Sequence, residues 1–367
     1  MSLKRSKKND DQTQQLILAT LNGRAFILRS LGQIEASIVD IRAGQARIAL
    51  MGNNQADPIV IERLRGMQHL NLGLGLYGTG RHEEALVEFA KAKAVYEELV
   101  RTYPSASGHR ERLASSCNSV GVAKFLAGEV DQGIADCEYA ASIWKQLASQ
   151  HPEVPDYTNS LLEVEINLAA MAAKAMRFDI AEGFARRAME SGHRLAESFP
   201  DVVDFVIVSA RSHTILAGIQ HQRGNAEAAI ATLGDAIRLF EQATDRFREA
   251  VALKDGLAVA LAMRGDMRAR RLEYGQSLED YEAAVEVVEK LPGQSAGVTQ
   301  VRHLTDLQAS CAQMCIHTGD SKQAIIWFER VEETLQRRLG VNPGDDSLRE
   351  QLQQVAARKA ELSTTLP

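Results

Sequence analysis

Six small residues stand almost evenly down the chain: Ala85, Gly133, Ala181, Ala229, Ser277 and Ala324, separated by steps of 48, 48, 48, 48 and 47. A period of that length constrains folding more than any local motif, because each unit can bury its apolar face only against the units beside it. Other columns keep the register. Pro104, Pro152 and Pro200 are 48 apart, and Pro343 returns in phase after Arg248 and Ala296 have held the position for two units. Gly80, Gly128 and Gly224 form a further column; Gly319 joins it after a one-residue deletion, and a backward step of 48 from Gly80 reaches Gly32. A glycine just past an apolar-periodic run caps a helix in the left-handed conformation, and a proline soon after a run cannot continue one. Each unit therefore reads as helix, tight turn, helix, loop.

In the second unit the first helix is expected from about Pro58 to Thr79, with Asp57 as N-cap and Pro58 in the first helical position. The second is expected from about His82 to Tyr103, where Ala85, Leu86, Phe89, Ala92, Tyr96 and Leu99 fall at three- and four-residue steps on one apolar stripe. Two columns of large residues follow the same register: Tyr96, Trp144, Gly192, Phe240, Val288 and Leu335 on second helices, and Leu113, Leu161, Ser209, Leu257 and Leu304 on first helices. Gly192 interrupts the former, so it must leave a gap or draw two helices together. A hydrophobic content of 45% with only 5% aromatic suits helices packed through Ala, Leu and Val, and no Pro/Gly/Ser-rich linker divides the 367 residues. The expected fold is all-α, an α-α superhelix or solenoid of about seven helical hairpins plus a C-terminal capping helix. Its units fall near 11–55, 56–104, 105–152, 153–200, 201–248, 249–296 and 297–343, read as one elongated domain. A disordered basic tail is expected over 1–10, a first helix from Asp11 to Leu31, and a capping helix and tail over 344–367. In the closing helix, Asp346 to Leu362, the polar residues Arg349, Glu350, Gln351, Gln353, Gln354, Arg358 and Lys359 would cover the last apolar face.

Asn71-Leu72-Gly73, Leu76, Gly80, Glu84-Ala85-Leu86, Phe89 and Ala92 resemble the tetratricopeptide repeat, whose pattern places Leu-Gly in the first helix and a small residue, an aromatic and an Ala in the second. Val120-Gly121, Leu168-Ala169, Leu216-Ala217 and Cys311-Ala312 keep the apolar-small pair, while Arg264-Gly265 keeps only the Gly. The resemblance covers roughly Ala19 to Arg338. Because the usual repeat of that family is about 34 residues, this chain resembles a variant whose helices are each about two turns longer. It is also similar to the extended arrays carboxy-terminal to the kinase domain in many bacterial serine/threonine kinases, through Leu99 to Gly121 with its Pro-containing loop and Arg110, Leu113, Ala114 and Ser116. The resemblance implies a non-enzymatic scaffold that binds a protein or peptide segment on a concave wall lined by first helices. The alternative it implies is a regulatory segment of, or associated with, a bacterial serine/threonine kinase. Mapped by phase, the wall begins apolar with Met67, Leu70, Leu74, Tyr77, Asn118, Val122 and Phe125 and turns polar with Arg211, His221 and Arg270. Equally open is that the longer helices repack this face and make Met67 to Phe125 core.

Chemistry-bearing motifs are absent. Gly73, Gly75 and Gly78 match G-x-G-x-x-G, but the motif cradles phosphate only after a strand, and here it lies in a helix whose Gly73 column also holds Gly121, Ala169, Ala217, Gly265 and Ala312. The kinase sequences Val-Ala-Ile-Lys, His-Arg-Asp and Asp-Phe-Gly do not occur. Cys311 and Cys315 are four apart without a third ligand at finger-like spacing, and Cys117 and Cys137 could face each other across a hairpin; all four are read as buried thiols, and neither cofactor nor metal is implied. A net charge of −6 with interspersed signs excludes nucleic acid as the main partner. Asp10 and Asp11 follow the basic Lys4-Arg5-Lys7-Lys8 cluster where a signal peptide would be apolar, and no run approaches the ~18 apolar residues of a membrane span. The expected location is the cytoplasm.

Overall fold

The computed structural model describes residues 2–52, 57–291, 304–341 and 343–364, with side chains from residue 13 onward apart from 15, 30, 52 and 341. Fifteen helices and no strand occur among the described residues. In chain order they are α1 (Ser2–Ser30), α2 (Ile34–Gly52), α3 (Pro58–Gly78), α4 (His82–Thr102), α5 (Ser107–Leu126), α6 (Val130–Gln150), α7 (Pro155–Lys174), α8 (Phe178–Ser198), α9 (Val203–Gln222), α10 (Ala226–Arg246), α11 (Val251–Arg270), α12 (Tyr274–Glu289), α13 (Leu304–His317), α14 (Ser321–Val341) and α15 (Asp346–Thr364). They form seven hairpins and a closing helix, a TPR-like repeat architecture. Two compact units divide it, Met1–Phe184 and Ala185–Pro367, with the boundary inside α8. The first helix begins at Ser2, nine residues before the expected start at Asp11, so the backbone over the expected tail is helical from residue 2. Ala296 and the expected boundary between the sixth and seventh units lie outside the described residues.

Every hairpin turn is built in one way. At Gly80 the backbone is left-handed (φ 78°), its N–H donates to the Tyr77 carbonyl at 3.0 Å, and the next N–H, of Arg81, donates to Leu76 at 3.0 Å. That pair of bonds satisfies the last carbonyls of α3 and reverses the chain. The pattern repeats at Gly32, Gly128, Gly224 and Gly319, all with positive φ, as the glycine column predicts. In the two units that lack the glycine, Met176 (φ 61°) and Leu272 (φ 63°) take up the same left-handed backbone and make the same bonds. Side chains pay a steric penalty there, so the repeat has imposed its turn on residues poorly suited to it. The loops between hairpins repeat as well. Ala106, Val154, Val202 and Ala250 each donate to a carbonyl three residues back, and the loop before α11 does so with Arg248 in place of proline. Asp57 caps α3, its side chain accepting from the Ile59 N–H at 2.9 Å with Pro58 in the first turn.

Between the helices of a hairpin the small column sets the approach. A Cβ on Gly121 would lie 2.6 Å from the Gly133 carbonyl oxygen and 2.5 Å from Cys137 Sγ, so α5 and α6 cross with backbone against backbone. In α3, Gly73 faces the Phe89 ring, where a Cβ would come within 2.5 Å, while Gly75 faces Ile38 and Gly78 faces Ile34. These three are packing glycines in a helix, as their column suggests, and make no phosphate loop. Ser37 and Ser277 occupy the small column in their units and donate to the carbonyls of Ala25 and Gly265 at 2.8 Å, neutralising their hydroxyls inside the core. The interruption at Gly192 is resolved by approach: its Cβ would lie 3.1 Å from the Cα of Ser209, and both residues are buried. The large residue and its facing Leu have been exchanged together for Gly and Ser.

A column absent from the expectations carries buried acids. Asp40, Asp136 and Asp280, with the half-buried Glu88, share one register on second helices, and basic side chains pair with them. Arg24 forks onto Asp40 from α1, as Arg264 does onto Asp280 from α11, 240 residues or five periods later. Asp136 accepts from Lys93 at 2.6 Å and Lys124 at 2.8 Å; burial pushes its carboxyl up, but the two ammonium bonds leave it below the usual carboxylate range. Opposite charges 16 or 12 residues apart across the glycine turn were the available sequence signal. All four cysteines are buried free thiols, and burial raises Cys117 and Cys137 to about 12.

Candidate partner-binding face

First helices turn one side away from their hairpin partners. In the unit Met1–Phe184, side-chain hydrogen bonds tie these helices to one another: Gln68 Nε2 donates to Asn22 Oδ1 at 2.6 Å from α3 to α1, the Tyr157 hydroxyl to Glu111 at 2.6 Å from α7 to α5, and Asn167 Nδ2 to Asn118 Oδ1 at 3.2 Å. An open cleft of about 200 Å³ lies between α1 and α3, lined by Leu18, Ala19, Asn22, Val60, Arg63, Leu64 and Met67.

The residues expected on the apolar wall separate into two groups. Met67 lines the cleft, Leu74 is exposed, and Val122 is half-buried at the edge of the second core cluster. Leu70, by contrast, is only 5% exposed and packs in the core with Ala25, Ile38 and Leu72. Tyr77 packs on that same core with its ring edge-on to His82 at 5.1 Å, and burial raises its hydroxyl pKa. Asn118 is engaged by Asn167 and by the Cys137 thiol, and Phe125 packs against the second cluster beneath the Lys174 ammonium at 5.6 Å. At 100° per residue, Leu70 and Tyr77 are rotated some 60–80° from Met67 toward the core, and Asn118 and Phe125 repeat that offset one unit later. Leu70 thus stands in the core, and Tyr77, Asn118 and Phe125 are half-buried at its edge.

The register of Leu74 identifies a row that the sequence mapping found only in part: Phe26, Leu74, Val122 and Ala170, one apolar residue from each first helix. Phe26, Leu74 and Ala170 are exposed. Beside it runs the neutral polar row Asn71, Ser119 and Asn167, all half-buried. Charge stands at Arg63 and Glu111 toward one end of the helices, at Lys174 toward the other, and at the half-buried Glu163 in the middle of α7, in the register of Met67.

In the unit Ala185–Pro367 the corresponding positions are Gly218, Asp266 and Gln313. Arg211 and His221 are half-buried on α9, the latter with its Nδ1 buried and without a hydrogen-bond partner, and Arg270 is exposed in the last turn of α11. Asp266 accepts from the Tyr281 hydroxyl, and His317 stacks on Tyr274 with ring centroids 4.4 Å apart, so part of this polar side is committed to internal contacts. Asp255 on α11 has a buried Oδ1 with no partner, and burial raises its carboxyl to about 6. Among the described residues no group of three or more His, Cys, Asp or Glu side chains is placed to hold a metal ion, and no helix is long and apolar enough to cross a membrane.

No family model matches the chain, and no curated protein matches it. Its fold is similar to solved structures. BtubC from P. vanneervenii superposes with a TM-score of 0.54 at 16% identity, over 72% of this chain and 93% of that one. The apo form of RapI superposes with a TM-score of 0.57 at 13% identity, over 95% of this chain and 86% of that one. A tetratricopeptide repeat protein from Parabacteroides merdae also matches, at 14% identity and a TM-score of 0.37, over 93% of this chain and 99% of that one.

Proposed function

We propose that this chain is a non-enzymatic interaction scaffold that binds a peptide or protein segment across the first helices of the unit Met1–Phe184. The row Phe26, Leu74, Val122 and Ala170 carries this reading. A continuous apolar track flanked by amide and hydroxyl side chains supplies what a bound segment needs: apolar seats for its side chains, and Asn donors and acceptors beside its main chain. Repeat architectures offer their stacked helices as extended binding surfaces, which the TPR-like fold supports.

The test selects peptides from a random display library against the full chain and measures their affinity by calorimetry. The double substitution Leu74→Glu, Val122→Glu is expected to weaken binding at least ~30-fold, the scale of losing an interface anchor, with an unchanged circular dichroism spectrum. Undiminished binding by that variant moves the site off this face. Substitutions at Tyr77 or Phe125 make a poor test, because both would disturb packing.

A further inference from the structure

Arginine and lysine side chains on the first helices of the unit Met1–Phe184 are nearly all engaged. From Thr13 onward, Arg24 is held by Asp40, Arg65 by Glu62 and Lys124 by Asp136, and Arg110 donates to Gln146 and Gln150. Arg29 and Lys174 lie over the rings of Phe26 and Phe125. Arg63 and Arg112 are the exceptions: both are exposed, and among the described residues neither makes an ion pair, a side-chain hydrogen bond or a ring contact.

The two stand on neighbouring helices toward the same end. Arg63 lies three turns before Leu74 on α3, close to the same stripe, at the mouth of the cleft between α1 and α3. Arg112 holds on α5 the register of Leu64, which lines that cleft, so it is turned toward α3 as Leu64 is toward α1. Both charges act on one hydroxyl. Tyr96 donates to the Arg63 carbonyl at 3.1 Å, and burial pushes its pKa up to about 12 while Arg112 and Arg63 oppose the rise. One unit later the corresponding corner is satisfied internally, with the Tyr157 hydroxyl donating to Glu111 at 2.6 Å. The same two register positions one unit earlier hold His109 and Arg63, so a base replaces the acid, and His109 Nδ1 is buried without a hydrogen-bond partner. The acids of the face stand toward α7: Glu111 is taken by Tyr157, and Glu163 is on α7 itself.

We infer that Arg63 and Arg112 take the carboxylate of an Asp or Glu side chain in the bound segment, an assignment that rests on the binding face proposed above. Two guanidinium groups without internal acids offer forked N–H donors matched to a carboxylate. Complementary charge of this kind sets the register and direction of a bound chain. From Arg63 to Leu74 and from Arg112 to Val122 the helices rise about 15 to 17 Å, a distance that about five residues of extended chain span. The uncharged Met67, Ser115 and Ser119 lie between. The segment therefore carries its acid about five residues from the apolar side chain seated at Leu74 and Val122.

The test selects random segments of about twelve residues, displayed inside a carrier loop so that no free terminus is present, against the full chain and against Arg63→Ala with Arg112→Ala. Thermal melting checks that the variant is folded, as the exposure of both sites predicts. Segments selected by the wild type are expected to carry Asp or Glu about four to six positions from an apolar residue, and the variant should lose that enrichment. For one selected segment made as a peptide, replacing its acid by the amide should weaken binding about tenfold at low salt. The two alanines should do the same, and the losses should not add. Arg63→Glu with Arg112→Glu should prefer the peptide that carries Lys in place of the acid. Segments that need Leu74 and Val122 but show no acid, or whose acid is indifferent to the arginines, overturn the assignment and leave the binding face standing. Segments indifferent to Leu74→Glu with Val122→Glu, or a selection that yields none, overturn both.

Discussion

The first and last helices meet the same problem with opposite chemistry. Both α1 and α15 lie against a single hairpin and have one side uncovered. In α15 the inward stripe of Leu348, Leu352 and Val355 is narrow and the remaining surface carries arginine, glutamate and glutamine, so the helix stops the array. In α1 apolar side chains point both inward, at Leu18 and Ala25, and outward, at Leu16, Phe26 and Ile27. A helix apolar on two sides is patterned for an interior position. Capping elements of repeat arrays carry a polar outer surface, and α15 has one, while the described part of α1 from Thr13 onward exposes Leu16, Phe26 and Ile27.

The sharpest way to break that contrast is truncation of equivalent leucines. Leu348 is 4% exposed and packs on Val331 and Leu335, so Leu348→Ala should cost about 2 to 5 kcal/mol through lost burial and the cavity left behind. Leu16→Ala should change stability by about 0.5 kcal/mol or less, since Leu16 is 69% exposed. Urea unfolding of both variants decides it. A comparable loss at Leu16 would show that the α1 flank is covered within a single chain.

Acid should distinguish the two ends next. Hydrogen bonds from Arg24 hold Asp40 below the usual carboxylate range despite its burial, so folding stabilises the ionised form. The contribution is complete above the ordinary carboxyl pKa of about 4 and is lost as pH falls through the lower folded value. The contact of α15 on α14 is led by the apolar side chains of Leu348, Leu352 and Val355, with Lys359 donating to Glu332 beside them. Hydrogen exchange, corrected for intrinsic rates, should show α1 and α2 losing protection between pH 5 and 3 relative to α14 and α15. Asp40→Asn should show the lower protection already at pH 5 and no further acid loss. A wild-type hairpin equally protected at both pH values would remove Asp40 from the account.

How much of this was legible in the sequence depends on whether the requirement was local. A left-handed turn favours glycine where it stands, so Gly32, Gly80, Gly128, Gly224 and Gly319 announced five of the turns, and Asp57-Pro58 announced a helix start. The closing helix was legible because its polar residues are contiguous, and its observed span, Asp346–Thr364, follows the expected one closely. Partner-dependent properties were not. Periodicity shows that Leu70 and Leu74 each belong to a column; which column faces a neighbour depends on how far the helix is rolled, and a roll of one position exchanges core for surface. Leu70 turns into the core for that reason, while Tyr77, Asn118 and Phe125 stand half-buried at its edge. The buried acids were hidden because each needs a base from another helix, and the outer side of α1 because an apolar residue looks the same whether its cover is present or missing.

The smallest effect bears on whether the two ends share anything at all. Gly32 turns the first hairpin and Gly319 the last, with φ of 75° and 82° and the same pair of backbone bonds. A Cβ at Gly319 would meet open space, and Gly32 stands in the same register position, so an alanine at either is penalised only by backbone conformation, about 1 kcal/mol. Gly32→Ala and Gly319→Ala should therefore lower stability equally, although the surfaces around them differ completely. Met176→Gly and Leu272→Gly should relieve the same penalty and raise stability, offset in part by the greater freedom glycine gives the unfolded chain. Both side chains are more than two-thirds exposed, so their removal sacrifices little packing. Equal losses at the terminal glycines and gains at Met176 and Leu272 would establish the turn as a property of the repeat, indifferent to what covers each end. A Gly32 variant that costs nothing would mean that the first hairpin contributes no stability to the chain.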